Sequence, residues 1–173
     1  MCCQNPERPG SGENIFIDGL EQWELCVGDV FAIEGSTLSL EVTSSRRVCE
    51  NWNHVHGLEP YGDGSYYQQP DGVGNVRHWM LRQNLGGFFL RVLADGDLNV
   101  GDKLVLASRP HPEWTLKRIG ELMYGAAEVD MHGWLQWAGT DEELEEIIAL
   151  PSWAEAEWKH VMTEHKEGRP SLF

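Results

Sequence analysis

The tripeptide Val-Gly-Asp occurs twice, at Val27-Gly28-Asp29 and at Val100-Gly101-Asp102, and each time it feeds a short apolar segment. Gly-Asp is a turn signal, and apolar residues after it are a strand signal. Two corners built alike predict a β-barrel or a β-sandwich, although three shared residues are too few to define an internal repeat. Strands are expected at 25–33, interrupted by the first corner, and at 98–106 around the second. Residues 37–43 form the clearest strand: Leu38, Leu40 and Val42 share one face, and Ser39, Glu41 and Thr43 the other. This period of two is the pattern of a half-buried strand. Further strands are expected at 13–17, closed by the Asp18-Gly19 turn, at 76–82, and at 88–93 after the Gly86-Gly87 pair, the densest apolar run in the chain.

At Arg109-Pro110 the pattern changes from strand to helix. Pro112 opens a segment in which Leu116, Ile119, Leu122 and Met123 recur at helical spacing, with Gly125 placed to stop it. Thr140 with Glu143, and Ser152 with Glu155, are two capping-box patterns that start a second and a third helix. Trp114, Trp134, Trp137, Trp153 and Trp158 are expected to glue these helices together. The expected class is therefore α+β, with strands in 1–109 and three helices in 110–173. Between them, residues 53–74 form a loop rich in glycine and tyrosine, long enough to suggest a functional lid.

A chain of 173 residues with 41% apolar residues builds one sizeable core. Its formal net charge of −15 would repel nucleic acid and anionic membrane surfaces, so neither is expected as a partner. The acidic residues crowd into 141–157, whereas Arg46, Arg47, Arg77, Arg82 and Arg91 have few acids near them in sequence. A local basic pocket for a small anion is compatible with that distribution. The cysteines Cys2, Cys3, Cys26 and Cys49 include no Cys-x-x-Cys pair, and no secretory apolar segment precedes them. A reducing, cytoplasmic setting without a disulfide framework is expected.

Cys49 stands apart from the other thiols. It follows the strand at 37–43 and has Arg46 and Arg47 within three residues. Nearby cations favour the thiolate, which is both the nucleophile and the metal ligand. The competing reading is a small buried apolar residue. His54, His56 and His78 would complete a zinc set with Cys49, but their spacing fits no standard zinc pattern. Arg77, His78 and Asn84 flank the Gly86-Gly87 pair and are candidate pocket residues, with surface ion pairing as the alternative for Arg77.

Taken in order, these segments resemble the MOSC domain, the family named for the C-terminal domain of molybdenum-cofactor sulfurase. The resemblance lies in Gly12-Glu13-Asn14 followed by Gly19-Leu20, in Val27-Gly28-Asp29, in Arg46 to Cys49 as an Arg-x-x-Cys element, and in Gly86 to Leu93 with Val100-Gly101-Asp102. Arg109-Pro110-His111-Pro112-Glu113-Trp114-Thr115 is similar to the junction into a three-helix appendage found in the YiiM-like group, which is linked to resistance against N-hydroxylated base analogues.

The resemblance implies a MOSC-type β-barrel followed by a small three-helix extension, with Cys49 ligating the molybdenum of the pyranopterin cofactor molybdopterin or carrying sulfur. Arg46, Arg47, Arg77, His78, Asn84, Gly86 and Gly87 are then the candidate cofactor-binding residues, and Cys49 the catalytic and metal-binding one. The implied activity is reduction of a small N-hydroxylated substrate with electrons from a reductase, or sulfur transfer; the family is also linked to pyridoxal phosphate binding. The Gly-Glu-Asn element begins only at residue 12, so the chain resembles an N-terminally shortened form. A non-catalytic shortened barrel serving as a protein-interaction module through its acidic helices is the alternative.

Overall fold

A computed structural model of the chain describes residues 13–46, 86–124, 137–153, 162–163 and 166–167. Four antiparallel strands form one sheet: β1 (Val30–Ile33), β2 (Ser39–Ser45), β3 (Phe88–Ala94) and β4 (Leu104–Ser108), in the order β3-β2-β1-β4. Phe31 lies opposite Leu40 on β2 and Leu106 on β4, and Leu40 lies opposite Val92 on β3. The β2–β3 ladder is irregular at Ser39/Leu40 and at Val42/Ser44, which bends the sheet. Among the described residues the sheet is open, with β3 and β4 as its edges.

The strand expected at 13–17 is not one: this segment is irregular and Phe16 is 86% exposed. An apolar run forms a strand only where a neighbour completes the ladder, and no described strand pairs with this segment. The segment expected at 76–82 lies outside the described residues. The densest apolar run becomes β3, an edge whose Phe89, Val92 and Leu93 face solvent in part.

Two helices follow the sheet. Thr115 accepts a hydrogen bond from the Arg118 N–H (3.1 Å) at the start of α1 (Leu116–Tyr124), which buries Leu116, Ile119 and Met123 along one stripe. Thr140 opens α2 (Asp141–Ala149) with the expected capping box: its hydroxyl accepts from Glu143 N and the Glu143 carboxylate accepts from Thr140 N. The third expected helix falls mostly outside the described residues, of which Met162, Thr163 and Lys166 are helical.

The helices are stitched to the sheet at the first Val-Gly-Asp corner. Val27 N–H donates to Trp114 O (3.0 Å) and Leu116 N–H to Leu25 O (2.7 Å). One core then runs from Leu25, Val27, Phe31 and Val42 into Trp114, Leu116, Ile119, Leu144, Ile147 and Trp153. Each of these large side chains contributes about 1.5–3 kcal/mol by burial. Trp114 also donates to Glu146 (3.0 Å), and Arg118 stacks 4.4 Å over its ring while reaching Glu143 at 2.7 Å. The tryptophans act as interhelical packing, as expected for Trp114 and Trp153; Trp134 and Trp158 lie outside the described residues.

Candidate functional site

Strand β2 and the start of β3 meet at one end of the sheet, and three of the candidate cofactor-binding residues come together there. Arg46 N–H donates to Gly87 O (2.8 Å), just past the Ser45–Phe88 pair that closes the ladder. Gly87 N–H in turn donates to the Gln22 side chain (3.0 Å), in the short 3-10 turn Gln22–Glu24. Gly87 has φ +91°, a left-handed conformation open to glycine at little cost, and no atom of the described residues lies within 4 Å of where its Cβ would be. Gly86 beside it is buried. The result is a pinned peptide with Arg46 alongside in the backbone and no described residue packed on the Gly87 Cα. Arg47, Cys49, Arg77, His78 and Asn84 lie outside the described residues, as do the tyrosine-rich loop at 53–74 and the histidines weighed for zinc. Among the described residues no cluster of His, Cys, Asp or Glu could hold a metal ion.

Two ion pairs, each on a buried carboxylate, engage Arg109 and Arg91. Asp29 is fully buried and takes a bidentate contact from Arg109, Nε to Oδ1 at 2.8 Å and Nη2 to Oδ2 at 2.7 Å. Its carboxylate also accepts the Cys26 N–H (2.9 Å). The Arg109 guanidinium is held above its usual range, first by the hydrogen bond to Asp29. Glu41, on the face of β2 expected to meet solvent, is only 8% exposed. Arg91 pairs with one of its oxygens, through Nε at 2.8 Å, and Ser152 donates to the other at 2.6 Å. Strand β2 is therefore buried on both faces, because a cation and a hydroxyl satisfy the one charge its second face carries.

These pairs remove Arg91 and Arg109 from the supply of free cations. Among the described residues Arg46, whose backbone meets Gly87, has no carboxylate partner. The described thiol, Cys26, is 1% exposed and pushed above the usual thiol range, mainly by burial and then by Asp29. It is the inert, small-apolar kind of cysteine.

The sequence reading missed both pairs. A strand glutamate within an otherwise apolar-and-hydroxyl stretch is a signal for Glu41, but its partners Arg91 and Ser152 are remote in sequence. Asp29 gave a turn signal and no sign of Arg109.

An antiparallel sheet with two Val-Gly-Asp corners, an arginine-bearing rim and a helical end defines a class. Residues 6–105 match the model of the MOSC domain, and the chain belongs to that family. YiiM from Geobacillus stearothermophilus shares the fold, with a TM-score of 0.60 at 22% identity over 86% of this chain and 61% of that one. YiiM from Escherichia coli does so with a TM-score of 0.64 at 15% identity, over 90% and 63%. A protein of Gibberella moniliformis (strain M3125 / FGSC 7600) named "Reductase" is 25% identical over 122 residues, which cover 67% of this chain and 19% of that protein. The chain thus spans under two thirds of the YiiM structures and a small part of the reductase.

Proposed function

We propose that the chain binds a molybdenum cofactor and belongs to an oxidoreductase that reduces N-hydroxylated compounds, with Cys49 as the protein ligand to the metal. The observation that carries this reading is the rim at Arg46 and Gly87. The backbone of Arg46, an arginine without a carboxylate partner among the described residues, is bonded to the fixed peptide at Gly87, and no atom of the described residues lies within 4 Å of where a Gly87 Cβ would be. That arrangement fits the terminal phosphate of a pyranopterin, which arginine recognises through paired hydrogen bonds. Arg47 follows directly, and Cys49 lies three residues beyond Arg46. Its thiolate would suit a soft metal, and the adjoining arginines would keep it ionised.

When bound, the cofactor supplies two-electron chemistry at the N–O bond. The chain's own part is to neutralise phosphate at Arg46 and Arg47, to offer the Cys49 thiolate, and to line the pocket with Arg77, His78 and Asn84. Asp29 and Arg109 brace the first corner at the same end of the sheet. A reductase would deliver the electrons, a partnership in keeping with the name of the Gibberella relative.

The test is metal and pterin content after expression with molybdate. The wild-type chain is expected to retain molybdenum and pterin. Cys49→Ser should lose the metal, and Arg46→Ala should lower pterin retention at least tenfold, while both variants keep the wild-type Tm. Negligible molybdenum in wild type and Cys49→Ser alike would overturn the reading.

A further inference from the structure

Gly86 and Gly87 come just before β3, and glycine loses more backbone freedom on folding than any other residue. A contact from outside the pair must therefore select its conformation. The β2–β3 ladder ends at the Ser45–Phe88 pair and does not reach residue 87. Two hydrogen bonds do: Gly87 N–H donates to Gln22 Oε1 at 3.0 Å, and Arg46 N–H donates to Gly87 O at 2.8 Å. Gln22 stands 65 positions before the glycine it holds. Its hold on Gly87 is only as firm as the backbone that carries it.

That backbone is fastened to the junction between sheet and helices. Gln22 opens the 3-10 turn Gln22–Glu24, in which Leu25 N–H donates to Gln22 O at 3.2 Å and Glu24 N–H to Glu21 O at 3.0 Å. Leu25 is fully buried, and its carbonyl accepts the N–H of Leu116, the first residue of α1, at 2.7 Å. Glu24 O accepts from Arg109 Nη2 at 3.2 Å, and the same guanidinium clamps Asp29. Glu21, Trp23 and Glu24 are exposed, whereas Gln22 is half-buried. The turn is thus held on one side by α1 and Arg109 and offers one amide oxygen to Gly87 on the other.

We propose that Gln22 is a positioning residue of the candidate cofactor site. By accepting the Gly87 N–H it fixes the glycine pair, and through the Gly87 carbonyl it sets the backbone of Arg46 at the end of β2. Its contribution to binding rests on the cofactor reading above, whereas the two hydrogen bonds stand without it. Removing the oxygen leaves a half-buried N–H without its acceptor and lets the glycine pair and Arg46 shift together. The site then loses preorganisation while keeping every side chain named for the cofactor.

Amide hydrogen exchange on the cofactor-free chain, together with pterin content after expression with molybdate, tests this role. Gln22→Met keeps the reach of the side chain and removes the acceptor, and Gln22→Glu keeps an acceptor oxygen. In Gln22→Met the Gly87 and Arg46 amides should exchange at least fivefold faster, relative to the amides of β1, than in wild type. Pterin retention should fall about fivefold, the worth of one hydrogen bond. Gln22→Glu should restore slow exchange and most of the retention. Unchanged exchange at Gly87 and Arg46 in Gln22→Met, or full retention of pterin by that variant, would overturn the role of Gln22 and leave the cofactor reading standing. Equal losses in Gln22→Glu and Gln22→Met would do the same, since the acceptor would then not be what matters. A wild-type chain without pterin would sink the cofactor reading and this role with it, even where Gln22→Met speeds exchange.

Discussion

The two Val-Gly-Asp corners are locally the same object in different surroundings. In each, the aspartate N–H donates to the carbonyl three residues earlier at 3.1 Å, Asp29 to Cys26 and Asp102 to Asn99. In each, the carboxylate accepts the N–H of that same earlier residue, at 2.9 Å from Cys26 and 2.7 Å from Asn99. The glycines have φ of +83° and +94°. Beyond this closed turn the resemblance ends. Val27 is fully buried and Val100 fully exposed; Gly28 is packed under Pro110, His111 and Ser152, whereas no described residue lies within 4 Å of a Gly101 Cβ. Asp29 is sealed in with Arg109, while Asp102 bonds within its own turn. The tripeptide thus dictates a turn, and remote parts of the chain decide whether that turn is a surface corner or the junction between sheet and helices.

Paired substitutions turn this contrast into numbers. The largest difference is expected at the aspartates. Asp29→Ala leaves the buried Cys26 N–H without its acceptor and Arg109 with only the Glu24 carbonyl, and should cost about 2–3 kcal/mol; Asp102→Ala exposes its partners to water and should cost about 1 kcal/mol or less. Urea unfolding of the two variants would measure both, and equal losses would break the comparison. The glycines come next. A Cβ at Gly28 would sit 2.9 Å from Pro110 Cγ in a left-handed backbone, so Gly28→Ala should cost about 3 kcal/mol. Gly101→Ala carries the backbone strain alone, about 1–2 kcal/mol.

The smallest effect is expected at Glu143, which makes the same kind of carboxylate-to-backbone bond on the surface of α2. Its carboxyl is held below the usual range, first by the Thr140 N–H and then by Arg118. Stability from this group is complete above the ordinary carboxylate pKa and is lost as pH falls through the lowered folded-state value. Glu143→Gln should therefore lower Tm slightly at neutral pH, and the difference from wild type should vanish in acid. A constant difference across that range would assign the effect to packing.

What was legible in the sequence follows the same division between local and remote causes. The capping box at Thr140 and Glu143, the helical stripe of Leu116, Ile119 and Met123, and the turns at both corners rest on neighbours within four residues, and all are present. The second face of β2 was misread because alternation reports which residues differ and not what covers them: Glu41 is buried by Arg91 and Ser152. Residues 13–17, read as a short strand closed by the Asp18-Gly19 turn, lack a described partner strand. Of the candidate site, Arg46, Gly86 and Gly87 converge, since adjacent strands carry them. The part of the proposal that rests on Cys49 stands on its sequence position beyond Arg46.

The hydroxyl that reaches Glu41 comes from a residue 111 positions later in the chain. During synthesis, β2 leaves the ribosome long before Ser152 exists. Until then Glu41 lacks its hydroxyl donor, and that face of the sheet must remain wet. That face therefore closes only after residue 152 has been made, a contact of the long-range kind that slows folding and prolongs the exposure of apolar surface.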